Sequence, residues 1–291
     1  MSEKVSGKGK KTVLWVISII IMFSAYAYQK RTGPTHPYRG SYDVGGKTHK
    51  HKLIRSGNSY EDAAVTLQLG DYSPSLFYKR LKTKDDFTQV LMEKGKDNFS
   101  AYLPKQPAAG KLEYYVIIKT KDKQIRIPNN SEENIVIRFK DYVPTYILFP
   151  HILMMFLAIL VGMRAALGAL FAPDSMRSFV WFSFISMSIG GMVLGPIVQK
   201  YAFGEYWTGF PWGGDWTDNK MLIMWIAWVA AISVVGIKQK AKETLPRILV
   251  IIAAIVMTAV YVIPHSIHGS ELDYSKVDAG IDPAKAIKTG K

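Results

Sequence analysis

The second half of the chain is dominated by four long apolar segments that contain no Asp, Glu, Lys or Arg. A helix needs about 20 mostly apolar residues to cross a bilayer, because hydrocarbon offers no water to unpaired backbone groups. The segments are residues 143–163, 179–198, 221–237 and 248–264. They predict a four-helix transmembrane bundle within residues 144–264.

A fifth apolar segment, residues 13–28, follows a basic run at residues 8–11. This order is typical of an N-terminal export signal. The small residues Ala25 and Ala27 have the spacing of a cleavage site, so a cleaved signal peptide is one interpretation. We favour the other, in which residues 1–28 form a cytoplasmic tail and a retained signal-anchor helix. Under both interpretations the next segment is exported.

Basic residues concentrate in alternate loops of the predicted bundle: Arg164, Arg177, Lys238, Lys240, Lys242 and Arg247. The loop between these, residues 199–220, balances two lysines against three acids. Because Lys and Arg concentrate on the cytoplasmic side, we predict a cytoplasmic N-terminus. Residues 29–143 and the tail 265–291 are then extracytoplasmic, and we expect a multi-pass protein of a bacterial inner (plasma) membrane.

The exported segment, residues 29–143, begins with a stretch rich in Gly, Pro, Lys and His that resembles a linker. From Lys52 the pattern becomes strand-like, since apolar and polar residues alternate along residues 64–69 and 124–127 between turn residues. Several short strands at regular spacing are typical of an antiparallel β-sandwich. The sequence therefore predicts an α+β membrane protein with an extracytoplasmic β-sandwich.

One piece of this segment, residues 102–116, has the pattern of a strand, a turn and a second strand. Pro104 and Gly110 mark the turn, and Tyr114 begins an aromatic pair. The piece resembles the corresponding part of bacterial immunoglobulin-like or fibronectin-type-III-like modules, and the resemblance covers residues 52–142. It implies adhesion, spacing or docking rather than a particular activity.

Composition excludes several kinds of site. The chain has no cysteine, which rules out disulfides, thiolate metal sites, a cysteine nucleophile and covalently attached c-type haem. The net charge of +14 is explained by basic loops and anionic lipid, so we expect no nucleic acid partner. The sequence offers no identifiable set of acid, base and nucleophile, and this favours a non-catalytic protein.

Small residues recur four apart on the third span, where Ser186 is followed by Gly190 and Gly191 by Gly195. In lipid, helices associate through close packing, so such a face marks the place where backbones meet. We therefore predict that this span is central in the bundle.

Aromatic residues crowd the outer loop: seven of the sixteen residues 201–216 are Tyr, Phe or Trp, interspersed with glycines. An aromatic belt at the lipid headgroups explains part of this pattern. Two functional interpretations remain, a lid folded over the bundle, which we prefer, or a flat surface for a partner. The predicted interaction surface consists of Tyr206, Trp207, Phe210, Trp212 and Trp216.

Three histidines fall at the predicted outer ends of the spans: His151, His265 and His268. Imidazole and thioether groups are the ligands that a cysteine-free site offers to haem b or copper. The histidines are therefore candidate ligands for haem b, copper or a quinone. The candidate metal ligands beside them are Met154, Met155, Asp215 and Asp218.

Two further groups of polar residues have alternative interpretations. His49 and His51 alternate along the chain and could share a metal ion, although the lysines around them favour a solvated pair. Glu271 and Asp273 could join the loop acids in a cation site. The simpler expectation is that these four acids, Asp215, Asp218, Glu271 and Asp273, pair with lysines and arginines of the exported domain.

The missing catalytic set, the module type and the small-residue helix face together favour one function. We expect a non-catalytic accessory or docking subunit of a cell-envelope complex, in contact with the lipid bilayer and with other membrane or envelope proteins. The alternative is a membrane electron-transfer or metal-handling protein with a haem b, copper or quinone site at the outer face.

Overall fold

A computed structural model describes residues 2–238, 242–264 and 269–288. Within these residues the chain is an α+β protein, in which a bundle of apolar helices is joined to a domain of mostly antiparallel strands. Five of the described helical segments are long and apolar enough to cross a membrane, as the sequence predicted.

The helices of the bundle are α1 (Ser2–Thr32), α2 (Thr145–Phe171), α3 (Met176–Met187), α4 (Gly195–Phe203), α5 (Trp216–Val235) and α6 (Thr244–Val262). A 3₁₀ turn, Pro173–Ser175, precedes α3. A seven-residue π-helix, Ser188–Leu194, joins α3 to α4. Together, α3, the π-helix and α4 form one continuous apolar span, Met176–Phe203.

Helix α2 extends well beyond the predicted span. The sequence placed Arg164 in a loop, but the helix continues through Phe171. The small residues of this stretch lie against the start of α3, since a Cβ on Gly168 would be in ordinary contact with the Cα of Met176 at 3.6 Å. Residues that resemble a turn in sequence here allow two helices to touch, so the loop assignment of Arg164 was wrong.

The outer loop is shorter than the predicted residues 199–220. Gly204 adopts a left-handed backbone (φ +87°) and ends α4. At the other end of the loop, the Asp215 carboxylate accepts a hydrogen bond from the backbone N–H of Thr217 and caps α5. The connection between helices is therefore residues 204–215.

Small residues set the contacts between helices. The Ser183 hydroxyl donates to the carbonyl of Ala158 at 2.8 Å and joins α3 to α2. A Cβ on Gly190 would lie 2.8 Å from the Cβ of Met154 and 3.2 Å from the backbone nitrogen of Met155. The π-helix and α2 thus meet backbone to backbone, which confirms the predicted packing face.

Helix α1 belongs to the same bundle. Its residues Met22 and Ala25 are buried in a hydrophobic core that they share with Trp228 of α5 and Met257 of α6. The hydroxyl of Ser18, also buried, donates to the carbonyl of Leu14 within the helix and so carries no unpaired donor into the core.

The strands of the β domain are β1 (Tyr38–Val44), β2 (Lys47–Leu53), β3 (Ser56–Asn58), β4 (Ala63–Gln68), β5 (Ser73–Arg80), β6 (Thr88–Leu91), β7 (Glu93–Lys94), β8 (Asn98–Leu103), β9 (Lys111–Lys119), β10 (Gln124–Ile127) and β11 (Ile135–Lys140). The larger sheet has the order β3-β11-β9-β5-β6, with β10 also paired to β9. A second sheet has the order β4-β8-β7, and β1 pairs with β2. The pairing of β11 with β3 is parallel, and the others are antiparallel.

The two sheets and the β1–β2 hairpin share one hydrophobic core. Alternation along β4 turns Val65 and Leu67 inward and leaves the residues between them exposed. Tyr114 of β9 is fully buried, and its hydroxyl donates to the carbonyl of Ile54 at 2.6 Å, so its one polar group is satisfied.

The β1–β2 hairpin occupies part of the stretch that resembled a linker. His49 and His51 are buried, not solvated, because they lie on its inward face. His49 stacks on Tyr42 and His51 stacks on Tyr38. Burial lowers the pKa of His51, although a hydrogen bond to the backbone of Tyr38 opposes this. The two histidines are therefore part of an aromatic stack in the core of the β domain.

The tail, residues 269–288, packs on the β domain. It contains β12 (Glu271–Leu272), α7 (Tyr274–Asp278), a 3₁₀ turn (Pro283–Lys285) and β13 (Ile287–Lys288), which pairs with β12. The Leu272 N–H donates to the carbonyl of Ala109 at 3.1 Å. The Tyr274 hydroxyl, likewise, lies 3.0 Å from the carbonyl of Lys111, so it fastens the tail to β9.

The two tail acids have different partners. Glu271 pairs with Lys111 at 2.7 Å and with Lys82, as expected from the sequence. Burial opposes the ionisation of Glu271, but these hydrogen bonds outweigh it and lower its pKa. Asp273 instead accepts from Ser275 and pairs with Lys288 of the tail itself, which lowers its pKa to about 2.

Candidate functional site

A cavity of about 440 Å³ lies in the bundle at the end that meets the β domain. Its walls come from α1, α2, the π-helix, α4, α5 and α6, and its ceiling includes Arg138 of β11 and Trp207 of the outer loop. The apolar walls include Leu148, Met155, Phe156, Met221 and Met224. This volume and this mixture of apolar walls with a few polar groups are typical of a small-molecule site.

His151 is the polar group in the α2 wall. Its Nδ1 lies 2.8 Å from the carbonyl oxygen of Gly190, which can only accept, so Nδ1 carries the hydrogen. In the neutral ring, Nε2 then has a free lone pair, and the hydrogen bond that the ring makes within the described part of the chain is the one from Nδ1. The ring therefore offers the cavity an acceptor in a fixed orientation.

The π-helix explains why this ring is held in place. The N–H of Gly195 donates to the carbonyl of Gly190, five residues earlier, and the same carbonyl also receives the His151 hydrogen bond. A Cβ on Gly191 would lie 2.2 Å from the sulfur of Met221, so glycine at this position leaves room for the Met221 side chain of α5. Single π-helical turns of this kind are frequent at functional sites.

A buried polar cluster forms part of the ceiling. Asp215 accepts hydrogen bonds from the N–H and the hydroxyl of Ser270 in the tail, both at 2.9 Å. Asp218 accepts from the N–H of Thr208 at 2.6 Å and from Gln199 at 3.1 Å. The Thr208 hydroxyl lies within 3.2 Å of both carboxylates. Loop, helix α5 and tail are thus joined at one place.

Arg138 brings a cation from the β domain to the same place. Its guanidinium lies 3.9 Å from the ring centroid of Phe203 and donates to the carbonyl of Ser270 at 3.0 Å. Burial lowers the pKa of Arg138 to about 10, and Asp215 and Glu271 partly offset this, so it stays charged at neutral pH. Its Nε is buried without an acceptor among the described residues.

Two more polar residues at helix ends line the cavity. The Lys220 ammonium donates to the carbonyl of Pro264 at 2.9 Å. Gln29 of α1 has a buried amide nitrogen for which the described residues provide no acceptor. The formal charges of the lining cancel, because Arg138 and Lys220 are balanced by Asp215 and Asp218. An uncharged ligand is thus better matched to the cavity than an anion or a cation.

The structure brings only some of the predicted cofactor ligands together. His151 and Met155 line the cavity, whereas Met154 packs against Gly190. Asp215 and Asp218 also line it, but both oxygens of Asp215 and Oδ2 of Asp218 accept hydrogen bonds from the loop, the helices and the tail, rather than from the lysines and arginines that the sequence led us to expect. The predicted ligands His265 and His268 lie outside the described residues. Within the described residues there is no group of three or more His, Asp or Glu that could hold a metal ion.

The predicted aromatic surface divides into two parts. Trp207 lines the cavity, and its indole N–H donates to the carbonyl of Phe210 at 3.0 Å. The other four rings are exposed, and Trp212 is the most exposed at 73 %. These four are Tyr206, Phe210, Trp212 and Trp216.

Sequence reasoning missed five polar residues of the site: Gln29, Arg138, Gln199, Thr208 and Lys220. Three of them could have been found, because Gln29, Gln199 and Lys220 directly border apolar spans. A polar residue at that position is a candidate for lining a cavity at the membrane surface. The sequence carries no local signal that brings Arg138 of β11 to the same place.

The fold and the site together define a class, a multi-pass α+β membrane protein with a cavity roofed by its β domain. Comparison with protein-family models and with curated proteins gives no match for this chain. The function is therefore inferred from the geometry of the chain itself.

Proposed function

We propose that the protein binds a small amphipathic molecule of the quinone and quinol class in this cavity. The observation that carries the proposal is the orientation of His151, whose Nδ1 is held by Gly190 while Nε2 is left as an acceptor. Because Nε2 lacks a hydrogen in the neutral ring, it matches a ligand hydroxyl, and a quinol supplies one.

The other features of the cavity support a neutral aromatic ring with polar edges. The Met and Phe side chains of the walls are soft and apolar, and sulfur packs favourably against aromatic rings. Gln29 and Arg138 each hold a buried N–H without an acceptor among the described residues, and a ligand oxygen would satisfy such a donor. The cancelled formal charges favour a neutral ligand.

A haem b or copper site has less support than a quinone site. Such a site needs at least one further ligand beside His151, and the described residues offer no group of three or more His, Asp or Glu that could hold a metal ion. An absorption spectrum and metal analysis of the purified protein test this alternative. A Soret band or stoichiometric copper would replace the quinone proposal.

The proposal is tested by titrating purified protein with a short-chain ubiquinone and with its chemically reduced quinol, using quenching of tryptophan fluorescence. Cavity residue Trp207 makes this signal sensitive to the site. We expect saturable binding, with the quinol at least about fivefold tighter, because one net hydrogen bond is worth about 1 kcal/mol.

The variant His151→Leu removes the acceptor and should abolish the preference for the quinol. The matched control is Leu153→Ala on the same helix, because Leu153 is 42 % exposed and does not line the cavity. The proposal is refuted by the absence of saturable binding of either form. It is also refuted if His151→Leu binds both forms with wild-type affinity.

The exposed aromatic rings favour a second candidate function, the docking subunit of an envelope complex. Four exposed rings lie on the short outer loop and at the start of α5, and Tyr and Trp are enriched where proteins dock. Replacing Tyr206, Phe210, Trp212 and Trp216 by Ser should release a stoichiometric partner retained in mild detergent. A wild-type chain that purifies alone at low detergent concentration contradicts this function.

We propose that the β domain is a sandwich of the immunoglobulin-like or fibronectin-like type, used as a spacer or docking module. The shared core of the two sheets supports this. We also propose that the domain and the tail are extracytoplasmic and the N-terminus cytoplasmic, in a bacterial inner membrane, with α1 retained as a signal anchor. The basic residues at the end of the bundle opposite the β domain support this orientation: Lys238 and Lys242 of the loop, and Arg177 and Arg247 in the first turns of α3 and α6.

The orientation can be tested cleanly because the chain has no cysteine. Tyr60 of the β domain and Lys238 of the loop between α5 and α6 are both exposed, so each can be replaced by a single cysteine. In intact spheroplasts, a membrane-impermeant maleimide should label Tyr60→Cys only. Labelling of Lys238→Cys instead would invert the orientation.

A further inference from the structure

A buried charge far from the cavity has no counter-ion among the described residues. Arg164 of α2 is only 1 % exposed, and its Nε and Nη1 have no acceptor in the described part of the chain. Its guanidinium carbon lies 4.8 Å from the ring centroid of Phe179 and 5.7 Å from that of Trp15. The rings attract the positive charge of the guanidinium, but they do not replace oxygen acceptors for its N–H groups.

Other arginines at this end of the bundle are partnered. Arg177 donates to the carboxylate of Glu243 at 2.9 Å and to a backbone carbonyl of α5. Arg247 donates to the carbonyls of Ala169 and Leu170 at the end of α2. Arg164 differs from them in lacking any such acceptor among the described residues. A guanidinium in this position therefore needs an anion from elsewhere.

The depth of Arg164 in the bundle points to the source of that anion. It follows Thr145, the first residue of α2, by 19 positions, which corresponds to about 28 Å along the helix. Helix α2 continues for only seven more residues, about 10 Å, to Phe171, so Arg164 lies toward the end of this span that is opposite the β domain.

The immediate surroundings of Arg164 leave it close to the lipid-facing surface. Trp15 of α1 and Phe179 of α3 meet edge to face with their centroids 5.5 Å apart, and both rings are only partly buried. They cover the guanidinium in the seam between the two helices. Lys10 and Lys11, in the preceding turns of α1, are exposed and add positive charge at the same end.

We propose that Arg164 binds the phosphate of an anionic phospholipid that sits in the seam between α1 and α3, in the leaflet opposite the β domain. A guanidinium can donate two parallel hydrogen bonds to one phosphate, from Nη2 together with either Nε or Nη1, so the phosphate would pair one of the two donors that have no acceptor. The lysines of α1 select a headgroup with net negative charge over a zwitterionic one.

The test is a lipid titration of the full chain in nonionic detergent, with the thermal unfolding temperature as the readout. Phosphatidylglycerol should raise this temperature with a half-saturating concentration at least fivefold below that of phosphatidylcholine. Arg164→Met should weaken the stabilisation by phosphatidylglycerol and reduce the difference between the lipids, of which Lys10 and Lys11 keep a part. Arg39→Met is the matched control, because this exposed arginine lies on the β domain.

A conservative variant keeps the proposal testable if Arg164→Met fails to fold. Arg164→Lys retains the charge but lacks the two-pronged geometry, so it should keep a reduced preference for phosphatidylglycerol. Equal stabilisation by the two lipids in the wild type overturns the proposal. So does a full preference in the Arg164→Met variant, or an equal shift produced by inorganic phosphate alone.

Discussion

The contacts of Asp215 give the most specific prediction of how a substitution changes the free energy of unfolding. Its Oδ1 accepts the Thr217 N–H at 2.7 Å and caps α5, while its Oδ2 accepts from the N–H and the hydroxyl of Ser270. Asp215→Ala removes the cap, which costs about 1 kcal/mol. It also leaves the buried Ser270 N–H without an acceptor, which costs about 1–3 kcal/mol. We expect Asp215→Ala to destabilise the protein by about 2–4 kcal/mol.

Asp215→Asn gives a sharper comparison, because the change is nearly isosteric. An amide has one acceptor oxygen where the carboxylate uses two, so the variant can keep either the cap or the Ser270 contact. We expect a cost of about 1–3 kcal/mol, below that of the alanine variant. Glu205→Gln is the matched control, since it removes a carboxylate charge from an exposed position of the same loop and should change stability by less than about 0.5 kcal/mol.

The measurement is equilibrium unfolding in mixed micelles of dodecyl sulfate and a nonionic detergent, followed by circular dichroism. The reasoning is refuted if Asp215→Ala stays within about 0.5 kcal/mol of the wild type, the range of ordinary surface substitutions. A separate titration with a chelator distinguishes the predicted metal-ligand role of Asp215. If the carboxylate held a metal, adding a chelator to the wild type would lower its stability by as much as the alanine substitution does. We expect the chelator to leave the stability of the wild type unchanged.

Three further predictions use the same unfolding assay or hydrogen exchange. Gly190→Ala places a Cβ 2.8 Å from the Cβ of Met154 and should destabilise the bundle by about 1–3 kcal/mol. Ser183→Ala removes a hydrogen bond between α3 and α2 and should cost only about 0.6 kcal/mol, so a larger loss contradicts the packing argument. Glu271 and Asp273 have lowered pKa values. Their contribution to the stability of the docked tail is therefore complete above the ordinary pKa values of 4.5 and 3.8, and it is lost as the pH falls toward 2. Amide exchange in the tail, corrected for the intrinsic rate, should therefore rise in that acidic window, and a rise between pH 5 and 8 would contradict it.

The parts of the fold that could be predicted are those in which burial follows local sequence. An apolar run without charge has few alternatives to a membrane helix, and five such helices are present among the described residues. Alternation over residues 64–69 predicted β4 (Ala63–Gln68) to within a residue at each end, because one side of that strand faces the core.

The β1–β2 hairpin escaped prediction for a physical reason. His49 and His51 face inward while Lys50 between them and Lys52 after them face water, so the strand does alternate. Hydropathy nevertheless scores both residue types as polar. What buries the imidazoles is stacking on Tyr38 and Tyr42, and that partner choice is a property of the folded domain.

The site was predictable only where its residues lie on the spans themselves. His151 stood out because an imidazole is rare within an apolar run. The ceiling is different, since Arg138 and Ser270 meet across 132 residues of chain and neither has a local signal. Contacts of that separation depend on how the β domain and the tail sit on the bundle.

The position of Asp215 connects these distant parts in a way that has a thermodynamic consequence. One carboxylate caps a membrane helix, holds the tail through Ser270 and lines the cavity. A ligand that fits the cavity only when this ceiling is formed stabilises the docked tail by its own binding free energy. Linkage is reciprocal, so a chain with the tail removed should bind that ligand more weakly by the same factor by which the ligand favours docking. Equal affinity in the intact and the shortened chain would show that the cavity and the tail are energetically independent.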